Sequence, residues 1–317
     1  MGLKRRLAAL LMSLATTMTA SSFAVAGDSE TTNTSPMRAI ANALLKKASF
    51  TPAAAAPAQT QNNLHERIAE DQNALVFSAP PRETPEAGIE IYQPVAEYLS
   101  KTIGKKVVYK HPGTWGVYRT EMLKGNYDIV FDGPHFNSYR VEKLNHNVLV
   151  KIPEQHEFVV IVRKDQNITN LQQMAGRTFC AHAPPNLGTL VLLSQFDNPS
   201  RQPAITNTKS WDTIYENVVS GKCVGGVLPA PNLKALDRAG ATRVVFKTQI
   251  IPNQAFSAGP RVSTEEQTRI AQALVSPGGA AATAKLRNAC KVGSFALANN
   301  QEYQGLAVYL KEEWGYY

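Results

Sequence analysis

The chain has 317 residues, 44% of them hydrophobic and 18% charged, which is enough apolar material for a substantial core. That excludes both a disordered tail and a disulfide-stapled miniprotein. Its formal charge of +8 comes from 33 Lys and Arg against 25 Asp and Glu, but the basic residues form no stripe, which argues against nucleic acid as a partner.

The first 26 residues read as a cleavable signal peptide. Lys4-Arg5-Arg6 is followed by an apolar run from Leu7 to Leu14 and by the small residues Ala24-Val25-Ala26. Thr16, Thr17, Thr19, Ser21 and Ser22 break the run too early for a membrane anchor, which needs about 20 apolar residues. No Cys follows for lipid attachment, and removal leaves a net charge of +5 on 291 residues. The expected location of the mature protein is the periplasm. In an oxidising compartment Cys180, Cys223 and Cys290 allow one disulfide and one free thiol, with the pairing open. No CxxC or HExxH spacing occurs among the three Cys and six His, so neither a metal, a cofactor nor a catalytic thiol is expected.

Residues 27–73 are rich in Thr, Ser, Ala, Pro and Gln, with one apolar patch from Met37 to Leu45, and read as a flexible leader. Order is expected from Ala74. A strand over 74–78 ends at Pro80-Pro81, Ile89 to Ile103 recur at helical spacing, and 106–110 form a second strand. The alternation continues with a helix over 115–124, a strand over 127–131, a break at Gly133-Pro134 and a helix to Leu144. Strands near Val148 and over 157–162 close the series.

A second series follows. It comprises a short helix over 170–175, a strand over 178–183, helices over 187–196 and 211–220, a strand over 223–228, a helix over 232–237 and a strand over 243–247. Beyond Ile251-Pro252-Asn253 come a return strand and helices over 264–274, 280–289 and 302–312. The predicted organisation is one lobe from 74–162 and 252–317, a second from 163–251, and hinges near 162–166 and 247–253.

The order of short motifs resembles the phosphate/phosphite/phosphonate-binding proteins of ABC importers. It rests on Tyr92 to Leu99 with Ile103-Gly104-Lys105, Leu123 to Val130 before Gly133-Pro134, Val219 to Lys222, Ile251-Pro252-Asn253, and Phe295 to Ala298 with Tyr303. The resemblance implies an α/β, two-lobed type 2 periplasmic-binding-protein-like fold with an interlobe cleft and hinge. It implies a solute-binding protein, not an enzyme, whose partners are a small-molecule ligand and a membrane permease or sensor protein, and which works as a monomer.

The expected ligand pocket departs from the family. The hydroxyl-rich run at the start of a second-lobe helix becomes Ala183 to Thr189, the Gly-Lys-x-Asp element reads Gly221-Lys222-Cys223-Val224, and a His is matched by Trp211. The candidate cleft therefore holds Trp115, Asp132, His135, Phe136, Asn186, Gly188, Thr189 and Trp211. Two ligand classes stand open. A carboxylate at Asp132 between aromatic faces suits a cation or amine. Alternatively, the Gly188 and Thr189 N–H groups still hold an anion at the helix start, and the tryptophans are packing residues. An enzyme lacks support because GxSxG, HExxH and GxxxxGK motifs are all missing. The alternative function is a degenerate binding fold acting as a sensor or envelope interaction partner.

Overall fold

Thr84 opens the longest helix, its hydroxyl accepting the Ala87 N–H at 3.4 Å ahead of Pro85 at the first helical position, where a missing N–H costs nothing. This helix, α1 (Pro85–Ile103), turns Tyr92, Val95, Ala96, Leu99 and Ile103 inward and connects β1 (Leu75–Ser78) to β2 (Val107–Tyr109), which pair in parallel. The structure, a computed structural model, describes residues 73–311 and 313. The expected signal peptide and all but the last residue of the expected leader lie outside the described residues.

After β2 the chain forms α2 (Trp115–Leu123), β3 (Ile129–Asp132), α3 (Pro134–Leu144) and β4 (Asn147–Lys151). The first sheet has the order β11-β4-β10-β3-β1-β2, completed by β10 (Ala255–Ala258) and the two-residue β11 (Ala296–Leu297). Because β1 and β3 are parallel neighbours, their carboxyl ends open side by side, where open α/β sheets receive ligands.

The second sheet, ordered β7-β6-β8-β5-β9, contains β5 (Phe158–Arg163), β6 (Thr178–Ala181), β7 (Ala204–Asn207), β8 (Gly225–Pro229) and β9 (Thr242–Lys247). Strand β5 alternates perfectly: Phe158, Val160 and Val162 enter one core while Val159 and Ile161 enter another on the opposite face. Around the sheet lie α4 (Leu187–Leu193), α5 (Trp211–Val219) and α6 (Ala230–Leu236).

The crossing between sheets differs from the sequence expectation. The strand near 157–162, assigned to the first lobe, pairs antiparallel with β8 and β9 and so belongs to the second sheet. The first crossing is therefore 152–157, and it meets the second, 248–254, in an isolated bridge between His156 and Ile251. Strand β7 is an addition; its largely exposed Ala-Ile-Thr-Asn run carries little apolar signal at a sheet edge.

The final third also differs. The expected helix over 280–289 is two, α8 (Pro277–Ala282) and α9 (Ala284–Cys290), divided at Thr283, while α7 (Thr264–Leu274) matches its expected range. The expected helix over 302–312 is two 3-10 turns, Asn300–Tyr303 and Leu306–Leu310, separated by Gly305 at φ 81°, a left-handed conformation that ends helical progression. The second turn straddles the lobes. Ala307 donates its N–H to Ser138 on α3 at 2.9 Å, Leu310 packs with Phe136 and with Leu190 of α4, and Leu306 joins the second-lobe core.

Cys180 on β6 is bonded to Cys223, just before β8, with Cα atoms 5.7 Å apart, and Cys290 is a free thiol. The bridge closes a 43-residue separation that contains α4, β7 and α5. Chain-entropy arguments give such a loop about 4 kcal/mol at most. Reduction, or Cys180→Ala with Cys223→Ala, is expected to lower unfolding stability by about 2–4 kcal/mol in denaturant titration. Cys290→Ala should leave the response to reductant intact; an unchanged midpoint on reduction of the wild type would contradict this assignment.

Candidate functional site

Strand β3 ends at Asp132 and passes directly into α3 through Gly133 and Pro134. Gly133 lies close to the His135 ring, from which a Cβ there would stand 3.0 Å, and no side chain caps the first turn of α3. Asp132 is fully buried.

Its carboxylate is entirely committed. One oxygen accepts Arg140 Nη1 at 2.8 Å and a short hydrogen bond from the Tyr118 hydroxyl; the other accepts the Gly133 N–H at 2.7 Å. Arg140 Nη2 also donates to the Tyr118 oxygen at 2.7 Å, and Arg140 itself is fully buried. Burial works against the Arg140 charge, but the Tyr118 and Asp132 oxygens outweigh it and hold its pKa above the ordinary arginine value. Burial also pushes the Tyr118 phenol well up, so it remains a donor.

On the cleft side stands Arg82, from the loop that follows β1. Its Nη2 lies 3.5 Å from the other Asp132 oxygen, its Nη1 donates to Gln254 of the second crossing at 3.2 Å, and its side chain is 31% exposed. Burial lowers the Arg82 pKa, but Asp132 together with Tyr92, Glu83 and Tyr118 more than offsets it, and Arg82 stays cationic. His135 is held neutral, burial lowering its pKa to about 4, and burial likewise lowers His156 to about 4. Two guanidinium groups, Arg140 and Arg82, thus face the Asp132 carboxylate, and Glu83 lies close enough to Arg82 to act on its charge. Asp132, which the sequence offered as the partner of a cation, is engaged here by Arg140, Tyr118, the Gly133 N–H and Arg82.

The remaining candidates divide by lobe. Trp115, 37% exposed at the start of α2, stacks on Phe136 with centroids 6.2 Å apart and meets Tyr118 edge-on. His135 crosses to the second lobe, its Nε2 3.0 Å from the Pro185 carbonyl oxygen, beside Asn186. Asn186 caps α4 by accepting the Thr189 N–H at 3.4 Å, and the Thr189 hydroxyl donates to the His182 carbonyl at 2.6 Å. Gly188 abuts Phe158, whose ring would stand 2.6 Å from a Cβ at that position. Of the expected anion seat, the Thr189 N–H and hydroxyl are thus used by the chain's own groups. Trp211 packs within the second lobe, edge-on to His182 at 4.0 Å.

Sequence reasoning missed Arg82, Tyr118, Arg140 and Gln254. Pro80-Pro81-Arg82 was legible as a loop at the carboxyl end of a parallel strand, the position that exposes a side chain to a cleft. Among the described residues no group of three or more His, Cys, Asp and Glu is placed to hold a metal ion, and no helix is long and apolar enough to cross a membrane.

Two α/β lobes joined by paired crossings, with polar groups converging between the sheets, define a two-lobed periplasmic binding protein. A family model, the periplasmic substrate-binding protein of phosphonate ABC transporters, matches residues 77–303. The chain belongs to that family, whose members are substrate-binding components and not enzymes. It is similar in fold to Xanthomonas citri XAC2383 solved with ATP, at 13% identity and TM-score 0.59, covering 75% of this chain and 97% of that one. PhnD1 of Prochlorococcus marinus with methylphosphonate gives 14%, 0.55, 75% and 97%, and Pseudomonas aeruginosa PA3383, a binding protein component of a phosphonate transporter, gives 15%, 0.52, 74% and 84%. No curated protein matches the chain by sequence.

Two tests follow from the buried charges. Asp132→Asn is expected to destabilise the fold by about 3–5 kcal/mol, because it leaves Arg140 buried without its counter-charge; a stable variant would show that the pair is dispensable. His135, His146 and His156 are lowered chiefly by burial, to about 4, 3 and 4. The unfolded chain, with histidines near 6.5, then binds more protons, so stability is complete above about pH 6.5 and falls as pH drops toward 4. Urea unfolding at several pH values should show that loss, at up to about 1.4 kcal/mol per pH unit for each histidine. A flat profile between pH 7 and 4.5 would contradict it.

Proposed function

We propose that this protein is the extracytoplasmic substrate-binding component of an ABC importer and that its ligand is a small oxyanion of the phosphonate, phosphite or phosphate type. The observation that carries this reading is that Arg140 already pairs with Asp132, so that Arg82 brings a second guanidinium to the mouth of the β1 and β3 strand ends. A guanidinium there supplies paired donors matched to oxyanion geometry. The exposed ring of Trp115, lying over Phe136, offers an apolar wall for a short organic substituent.

The lobes are inferred to close on the ligand about residues 152–157 and 248–254, the ligand favouring the closed state only by the extra contacts it makes there. The closed surface is then what a membrane permease reads. Export by the N-terminal signal, release of the mature chain and a monomeric carrier complete the reading, and the periplasmic character of the family supports it.

Thermal unfolding of the mature protein against methylphosphonate, phosphite, phosphate and small quaternary amines tests the proposal. Binding at about 100 times the dissociation constant adds about 2.7 kcal/mol of stability. The oxyanions should raise the midpoint and the amines should not, and Arg82→Gln should weaken oxyanion binding about tenfold or more. A response confined to amines, or none at all, would reject it, the latter turning attention to protein partners.

A further inference from the structure

His135 is 3% exposed, and its Nε2 lies 3.0 Å from the Pro185 carbonyl oxygen. A carbonyl only accepts, so Nε2 carries the ring proton and Nδ1 presents a bare lone pair. That lone pair is buried and has no partner. Its position is informative: Nδ1 lies 3.2 Å, and Arg82 Nη2 3.9 Å, from where a Cβ on Gly133 would stand. An orphaned acceptor and a cationic donor thus converge on the uncapped start of α3, an 11-residue helix.

The geometry points to His135 as the residue that reads the protonation state of the ligand: its Nδ1 accepts the O–H of a singly protonated oxyanion whose charged oxygens face Arg82. This rests on the oxyanion reading of the cleft and deepens it. A hydrogenphosphonate, phosphite or phosphate monoanion carries both the proton to donate and the charge to be held. Sulfate is the same size but bears no proton at neutral pH, so it would set a lone pair against a lone pair, leaving a buried acceptor unsatisfied.

The groups facing His135 keep it in the accepting form. Asp132 at the end of β3 is neutralised, Arg82 and Arg140 add positive charge from the β1 loop and from α3, the Pro185 carbonyl fixes the tautomer from the second lobe, and Phe136 covers the ring at 4.2 Å. Burial, the largest influence, holds its pKa near 4, so a proton enters the pair on the ligand and not on the ring.

The test is calorimetric titration of the mature wild type, His135→Gln and His135→Asn with methylphosphonate, phosphate and sulfate at pH 7. Gln places a donor near the Nε2 position and retains the Pro185 contact while losing the acceptor. Asn offers an acceptor near the Nδ1 position and loses that contact. The wild type should prefer methylphosphonate and phosphate over sulfate by about tenfold or more, His135→Gln should lose that preference, and His135→Asn should keep most of it. Wild-type affinity for methylphosphonate should also strengthen as pH falls from 8.5 to 6.5, a readout independent of any variant. Equal wild-type affinity for sulfate, an undiminished preference in His135→Gln, or pH-independent affinity would overturn the assignment while leaving the oxyanion site standing. Failure of the wild type to bind any of the three anions would overturn both.

Discussion

The structure turns on a buried charge pair. Asp132 and Arg140 are both withdrawn from solvent, joined at 2.8 Å and tied to Tyr118. Such a pair contributes little net stability over apolar packing, yet breaking it is expensive, so its value lies in what it fixes. It anchors the strand end of β3 to the body of α3. It also engages the carboxylate of Asp132, with Arg82 standing 3.5 Å away on the cleft side, and the proposed oxyanion reading rests on that arrangement.

The second constraint is the internal satisfaction of the second lobe. In place of hydroxyls aimed outward at a ligand, Asn186 and Thr189 direct their polar atoms at the chain itself, and Gly188 is pressed against Phe158. The Cys180–Cys223 bond holds the neighbouring strands where the family pattern has a carboxylate after Gly221-Lys222. The lobes contribute unequally as a result. The first supplies the charge, and the second supplies the Pro185 carbonyl, which sets the tautomer of His135. The Leu306–Leu310 turn packs on both lobes at once.

Much of the fold was legible because its strands and helices obey simple periods. The buried run of β5 and the helical spacing of Ile89 to Ile103 in α1 behave as their sequence suggests. The errors fall where a short element has little apolar signal, as in β7, or where one residue changes the geometry, as Gly305 does in the tail. The site was less legible. Trp115, Asp132, His135 and Phe136 do gather at the first-lobe strand ends, but the meaning of Asp132 depends on Arg140. Periodicity assigns a helical arginine to solvent, because charged side chains are almost never buried unless paired. Its partner is eight residues away, in a different element, and only the fold brings them together. Arg82 was missed for a different reason: its loop was legible as a strand end, but no periodicity in a Pro-rich loop says which side chain faces the cleft.

The most direct measurement is a crystal structure of the mature protein grown with methylphosphonate. The account expects the phosphorus between the Arg82 guanidinium and the start of α3, within hydrogen-bonding reach of His135, with Asp132 still paired to Arg140. A ligand seated between Trp115 and Trp211 without contact to Arg82, or Asp132 turned from Arg140 toward the ligand, would contradict it.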